Sequence, residues 1–483
     1  MQLTNILLNT GLNFSNSLYK NIKIKNICLN SNFLKKGDLY ISLKGKKFKG
    51  NYFIKDAINR GASAIITDTK YFKNKKKIPI IYSNNIFKKL PNLLDFYYKD
   101  LPQNIIAITG TNGKTSVCWY VSQILSLNKI NSSYLGTVGE FFNGKKISEL
   151  ENTTPDICTL FSKANIHYNK GSNNFIFEAS SHGIDQGRIS GLPINIAAIT
   201  NISQDHLDYH GNIESYKIAK FKLFTKYLLR KGKLILNSKV SLSKKNKKIL
   251  KNKSIKIITY GSQKSDVYIY KKLKNYFLKI NKKKYKLNLK ISNKYDIENI
   301  ECTISLGMAL GIKIKYIIDK INSISRPPGR MEKCIILKNK SKVFIDFAHS
   351  PDALKNILKS TSKNFNIKPN LVFGCGGDRD KSKRKIMGKI ANNYAKKVYI
   401  TDDNPRNENA NNIRIEISKN CKRAEIINNR KKAIITAIKE LKYKEILIIA
   451  GKGHEKYQII KEKKMPFDDF KIANNFIKKI NKK

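Results

Sequence analysis

The segment ITGTNGKTS at 108–116 constrains this chain more than any other, because it prescribes a strand, a tight turn and a helix in fixed order. NIIAI before it reads as a short buried strand, and Val117, Tyr120, Val121, Ile124 and Leu125 after it recur at helical spacing. Gly110 and Gly113 permit a turn that approaches a ligand closely. A helix starting there points free N–H groups and the positive end of its dipole at an anion. Lys114 would reach the outer phosphates, and Thr115 would offer a hydroxyl to Mg²⁺. The usual eight-residue loop of this kind has glycine at the position of Ile108. The bland alternative is a glycine turn with a stray lysine, but strand, turn and helix in order predict an ATP site.

A length of 483 residues exceeds a single core and predicts two to four domains. No run of 18 apolar residues exists, so no membrane insertion is expected. MQLTNILLNTGLNFSN lacks the basic, apolar and small-residue regions of a signal peptide. Seven cysteines without a CxxC pair fit a reduced, cytoplasmic protein without structural zinc. The formal charge of +59 would suit a nucleic-acid binder only if it were gathered into patches with aromatics between. Lysine is instead spread along the whole chain among abundant Asn and Ile, and only eleven of the 94 basic residues are Arg. That pattern reads as coding bias, with non-specific attraction to polyanions and no specific nucleic-acid partner. Against it, five of six histidines (His182, His206, His210, His349, His454) fall in motif-like segments.

Residues 1–101 alternate short strands and helices, with GDLYISLKG and GASAIITD as the clearest β segments. Residues 102–327 hold the phosphate loop, and alternation within 240–290 predicts a small extra sheet. SRPPGR at 325–330 reads as a hinge. From 328 to 483 the strands VFIDF, NLVFG, KVYIT and EILIIA alternate with helix-length segments, predicting a parallel doubly wound sheet. The loops AHSPDA, CGGDRDKSKR, DDNPRNE and GKGHEK follow those strands, where ligands bind in open α/β sheets.

FIFEASSHGIDQGR at 175–188 delivers Glu178 at a strand end, where it could complete a Mg²⁺ shell with Thr115. Ser180, Gln186 and Arg188 supply donors suited to an acidic substrate. ITNISQDHLDYHG brings Asp205, His206, Asp208 and His210, a density that would suit a second metal site or merely a helix cap.

ITGTNGKTS, EASSHG, TNISQDHLDYHG, GRMEK, DFAHSPDAL, GCGGDRDKSKR, TDDNPR and AGKGHE, in this order, resemble the Mur ligases over nearly the whole chain. The resemblance is to the branch that adds the third amino acid to UDP-N-acetylmuramoyl-L-alanyl-D-glutamate. It implies an α/β protein of three domains. These are a uridine-nucleotide-binding domain (1–101), a P-loop-like ATP-binding domain with the extra sheet (102–327) and a Rossmann-like amino-acid-binding domain (328–483). It also implies a cytoplasmic monomer that uses ATP and Mg²⁺ to convert a carboxylate, through an acyl phosphate, into an amide.

By the same resemblance, ATP would meet Gly110, Thr111, Asn112, Gly113, Lys114, Thr115, Ser116, Asn299, Arg330 and Asp346, with His349 beside Asp346. Metal would involve Thr115, Glu178, His206 and Lys220, the last as a carbamylated lysine, and Lys114, Glu178, His206 and Lys220 would be catalytic. The muramoyl dipeptide would contact Leu29, Ser31, Asn152, Thr153, Thr154, Ser180, Gln186 and Arg188. TDDNPR implies meso-diaminopimelate, held by Arg379, Asp403, Asn404, Pro405, Arg406, Gly451 and Glu455. An Asp-Ser-Arg is expected where Asn30, Ser31 and Asn32 stand; Lys46, Lys47 and Phe48 alter another uridine stretch, and Asn237 lacks its usual acidic pair. The competing readings are a folylpolyglutamate synthetase, a lysine-adding relative, and a ligase-like scaffold bound to nucleic acid.

Overall fold

Short parallel strands buried on both faces open the chain, as their uninterrupted apolar sequences require. The computed structural model describes all residues except 13–18, 20, 45–49, 70–77, 274, 282, 290–293 and 483. Lys46, Lys47 and Phe48 therefore lie outside the described residues. Strands Ile27–Cys28, Leu39–Ser42, Ala64–Thr67 and Ile80–Tyr82 pair in sequence order. Leu3, Leu39 and Leu94 of this first unit share one apolar cluster with Leu160, Phe161 and Phe221, so the unit is seated on a face of the next sheet.

That central sheet has eleven strands. Its middle is parallel: 233–237, 196–199, 104–109, 174–178 and 133–136 in spatial order, with antiparallel strands 139–142 and 145–148 at one edge. Helix Lys114–Leu127 packs with Lys294–Ala309 and Ile314–Ile321 on one face, through Val117, Ile124, Ile300, Ile304 and Ile317. The strands expected as a small extra sheet form an antiparallel extension of the main one. Strand Val267–Lys272 joins strand Lys256–Tyr260 through the single pair Tyr260↔Val267, because Lys256–Tyr260 leaves an open edge.

Helix 294–309 presses one acidic side chain against this extension. Glu301 is 1% exposed, its Oε1 accepts from Ile269 N–H at 2.6 Å, and its Oε2 has no partner among the described residues. Burial pushes its carboxyl up to about 8. The unfolded chain releases this proton near pH 4.5 and the folded chain only near 8, so folding stability falls as pH rises through that window. Glu301→Gln keeps the Ile269 bond without titrating. Its melting temperature relative to the parent should climb between pH 5 and pH 8, by about 2–4 °C for each kcal/mol released. A gap that does not change with pH would show a carboxyl with an ordinary pKa.

The last sheet runs 332–333, 342–346, 446–450, 370–373, 398–400, 424–426 and is parallel except for its first pair. Helices on one face bury Leu354, Met387 and Ile413; those on the other bury Ile434, Ile438, Ala473 and Ile477. Two-sided burial is what the regular βα rhythm predicts. Strand 446–450 inserts between 342–346 and 370–373, so the loops after these three strands meet at a topological switch. Beneath them Arg430 and Asp469, both 0% exposed, form a bidentate pair of 2.8 and 2.6 Å, and Arg430 also donates to the Ala450 carbonyl.

Candidate active site

The phosphate loop is held rigid from behind. Gly110 has φ +145°, and a Cβ there would stand 1.8 Å from Thr200 Oγ1, so only glycine fits. Thr200 Oγ1 donates to the Asn112 carbonyl at 2.6 Å, Asn112 N–H donates to Asn201 Oδ1, and Thr111 Oγ1 accepts from Ser203 N–H. The segment after strand 196–199 thus fixes the turn before any ligand arrives. Gly113, with φ +89°, starts the helix, and Lys114 folds back with Nζ 2.9 Å from the Gly110 carbonyl and 3.0 Å from that of Thr111. Burial lowers the Lys114 pKa, while Glu178 and Asp205 oppose the shift.

Glu178 is fully buried at the end of strand 174–178 and accepts four hydrogen bonds. Tyr134 OH and Thr137 N–H serve Oε1 at 2.7 and 2.8 Å; the Thr115 and Thr137 hydroxyls serve Oε2 at 2.9 and 3.0 Å. Thr115 and Glu178 so provide adjacent oxygen donors beside the phosphate loop, a set that fits Mg²⁺, which takes few protein ligands and keeps water and phosphate oxygens. Among the described residues no three His, Cys, Asp or Glu side chains group to hold a metal alone. Within the dense DHLDYH segment, His210 packs its ring on Tyr209 and Tyr216 at 4.7 and 5.3 Å.

Lys220 lies in the last turn of helix Ile213–Lys222, only 1% exposed, with Nζ 2.8 Å from the Gly110 carbonyl and 4.5 Å above the Tyr216 ring. Burial and the Lys114 ammonium hold its amine well below the ordinary lysine range. His206, at φ +54°, begins the adjoining turn, its ring 4.8 Å from that of His182. Burial keeps both imidazoles below their ordinary value, His182 at about 4, so both are neutral at neutral pH. Burial opposes ionisation of Asp205, but His206, His349, Lys383 and Lys114 outweigh it and hold its carboxyl low. Two of those four groups come from the last unit, His349 from the loop after strand 342–346 and Lys383 from the first turn of helix Ser382–Tyr394.

Asn112, Gly113, Ser116, Asn299, Arg330 and Asp346 line one cleft between the phosphate loop, helix 294–309 and the 325–330 hinge. Asp346 accepts from the amides of Met331 and Ala348, so it shapes the hinge, and burial raises its carboxyl. Arg330 stacks over Phe347 at 4.7 Å, and its Nε has no partner among the described residues. Thr153, Thr154, Ser180, Gln186 and Arg188 form a second connected group. Thr154 Oγ1 donates to the Glu178 carbonyl and accepts from Ser180 N–H, while Arg188 donates to the Thr154 carbonyl and to Gln186 Oε1. Thr153 Oγ1 lies 3.1 Å from Thr137 Oγ1, which ties this group to Glu178. Asn152 is exposed beside them.

In the last sheet the loops 374–381, 402–406 and 451–455 interlock. Arg406, at φ +52°, donates through Nη1 to the Gly377 carbonyl at 2.7 Å. Among the described residues it pairs with no carboxylate: Asp402 is taken by Arg414. Burial and the neighbouring Arg379 guanidinium lower the Arg406 pKa. Arg379 is exposed and Pro405 buried. A Cβ at Gly451 would stand 2.5 Å from Asp403 Oδ2, and Asn404 Nδ2 donates to Glu455 Oε2 at 2.9 Å. These loops gather every residue expected around the amino acid.

The Mur ligase family catalytic domain model matches residues 23–103, the Mur ligase middle domain model 108–307, and the Mur ligase glutamate ligase domain model 329–453. The chain belongs to the Mur ligase family. It is 39% identical over 476 residues to the UDP-N-acetylmuramoyl-L-alanyl-D-glutamate--2,6-diaminopimelate ligase of Rickettsia montanensis, covering 95% of this chain and 97% of that one. The relative of the same name from Buchnera aphidicola is 35% identical, covering 95% and 96%. A solved diaminopimelate ligase structure superposes with TM-score 0.66 at 27% identity over 98% of both chains. MurF ligase from Thermotoga maritima, solved in complex with ADP, shares the fold at TM-score 0.65 and 16% identity, covering 96% and 99%.

The first unit of this Mur ligase departs most from expectation. Leu29 packs against the apolar core, and Ser31, 3% exposed, bonds to Asp56. Asn30 Oδ1 accepts from Asn32 N–H at 3.0 Å, so Asn at position 30 keeps the acceptor an Asp would supply. Asn237 Oδ1 accepts from Lys239 N–H and its Nδ2 has no partner among the described residues, which leaves its role unexplained. Sequence reading missed Thr137, which carries no charge; the flanking glycines in LGTVG were its only signal. It also missed the Arg326–Asp296 ion pair on the nucleotide cleft and the buried Lys452.

Proposed function

We propose that the chain is an ATP-dependent ligase that joins meso-2,6-diaminopimelate to UDP-N-acetylmuramoyl-L-alanyl-D-glutamate in the cytoplasm. The observation that carries this reading is the path Thr115–Glu178–Thr137–Thr153, which links the phosphate loop directly to the dipeptide group. The three units at 1–101, 102–327 and 328–483 would bind uridine nucleotide, ATP and amino acid respectively.

ATP is placed in the hinge cleft with its phosphates on the loop amides and Lys114. Mg²⁺, held by Thr115 and Glu178 with His206 at a second position, would neutralise phosphate charge. The dipeptide carboxylate, oriented by Ser180, Gln186 and Arg188, attacks the γ-phosphorus, and ADP departs. The neutral amine of the incoming amino acid then attacks the acyl carbon and phosphate leaves, giving an amide. Both steps need positioning and charge neutralisation more than covalent help, which suits the preset loop and buried carboxylate. His349 and Lys383 reach Asp205 from the last sheet, so hinge closure completes the site.

Lys220 is placed as the carbamylated lysine. Burial lowers its pKa and so favours the neutral amine, the state that attacks CO₂; a nitrogen–carbon bond forms, a proton leaves, and a carbamate replaces a would-be ammonium. Lys220→Ala should lose activity that short carboxylic acids partly restore and bicarbonate does not. ¹³CO₂ should give a carbamate carbon resonance in the wild type that Lys220→Ala lacks; an active wild type without it would remove the assignment. For the reaction as a whole, phosphate release should require ATP, the UDP-linked dipeptide and diaminopimelate together. Release with folate and glutamate instead would favour the folylpolyglutamate reading.

A further inference from the structure

Lys452 is a lysine with 0% exposure, buried under the amino-acid loops and absent from every role assigned above. Its Nζ donates to Asn404 Oδ1 at 2.9 Å and to Glu455 Oε2 at 3.0 Å. Asn404 Oδ1 also accepts from Ile459 N–H at 2.9 Å, so both lone pairs of that carbonyl are used. The amide orientation follows: a flipped Asn404 would set its NH₂ against an ammonium and an N–H. Held this way, Asn404 Nδ2 donates to Glu455 Oε2 and keeps one N–H free. Glu455 Oε2 takes two donors, while its Oε1 and the Asp403 carboxylate accept no hydrogen bond among the described residues.

We infer that Lys452 is a positioning residue for the incoming amino acid, acting through Asn404 and Glu455. It leaves Asp403 and Glu455 Oε1 as the acceptors for the substrate's distal ammonium. It also turns Asn404 into a donor for the distal carboxylate beside Arg406. With its carbonyl saturated, the Asn404 amide has no acceptor left for the ammonium. The hairpin Tyr457–Pro466 supports the same arrangement, since Ile459 caps Asn404, Gln458 Nε2 donates to the Asp403 carbonyl, and Arg406 N–H donates to the Ile459 carbonyl. A neutral side chain at 452 would free the amide to flip and leave Glu455 without its cation.

The inference rests on the ligase reading, and the test separates the two. Lys452→Met is compared with wild type in steady-state ligation, with each substrate varied in turn. KM for diaminopimelate should rise about 10- to 100-fold while KM for ATP stays at its wild-type value. In a Glu455→Gln background the same change should add far less, because the two residues act as one unit. If Lys452→Met does not fold, Lys452→Gln, which keeps a donor and removes the charge, carries the comparison. An unchanged KM for the amino acid, or equal rises for amino acid and ATP, would overturn the role. Wild type that ligates another amino acid would overturn the diaminopimelate reading alone, and the Lys452 comparison is then made with that amino acid.

Discussion

Replacing Lys114 by Ala, or Glu178 by Gln, should lower ligation by about three orders of magnitude while the protein stays folded. Lys114 reaches the loop carbonyls from a half-buried position, and its removal exposes no core. Glu178 calls for Gln, not Ala. Deleting the carboxylate would strand the buried Tyr134 hydroxyl, at about 1–3 kcal/mol, and would free the half-buried Thr137 amide. Gln keeps an acceptor and the volume but removes the charge that Mg²⁺ needs. A thermal melt near the parental value, together with lost turnover, is the expected pair of results. Normal turnover by either folded variant would remove the ATP site from this loop.

The second large effect concerns amino-acid choice. Diaminopimelate differs from lysine by one distal carboxylate, so a selective pocket must supply a cation with no carboxylate of its own. Arg406 meets that requirement. Its guanidinium is held by the Gly377 carbonyl and makes no ion pair among the described residues, with Asp403, Glu455 and Asp378 acting on it only from a distance. The close Arg379 guanidinium adds positive field at the same place. A charge-assisted bidentate bond formed there is worth about 1.5–3 kcal/mol, or about 10- to 150-fold in preference. Arg406→Ala should lose that preference in direct competition between diaminopimelate and lysine. Equal use of lysine by the wild type, or an undiminished preference in the variant, would reject the pocket.

Much of this site was legible because each part sits just after a strand. Strand, GTNGKTS and helix fix one another's direction, and the loops GKGHE, CGGDR and DDNPR end three parallel strands that lie side by side. What was not legible depends on who meets whom across the fold. Thr137 matters because it touches Glu178 and Thr153 at once, and an uncharged threonine announces neither contact. Lys452 is one of very many lysines, and only its burial sets it apart. The amide direction of Asn404 follows from Ile459, 55 residues away. The surroundings of His210 were hidden for a related reason: spacing along four helical residues did not reveal that Tyr209 and Tyr216 pack on its ring. In the first unit, Asn30 preserves the backbone cap an Asp would give, so altered chemistry there coexists with the expected turn.

The most direct test follows one oxygen. The UDP-linked dipeptide is labelled with ¹⁸O in the carboxylate that becomes the amide, then incubated with the protein, ATP, Mg²⁺ and diaminopimelate. An acyl phosphate route transfers one label to inorganic phosphate and adds one diaminopimelate residue to the nucleotide peptide, both read by mass spectrometry. Phosphate without the label, or phosphate released with no gain in peptide mass, would contradict the assignment of this chain as a diaminopimelate ligase.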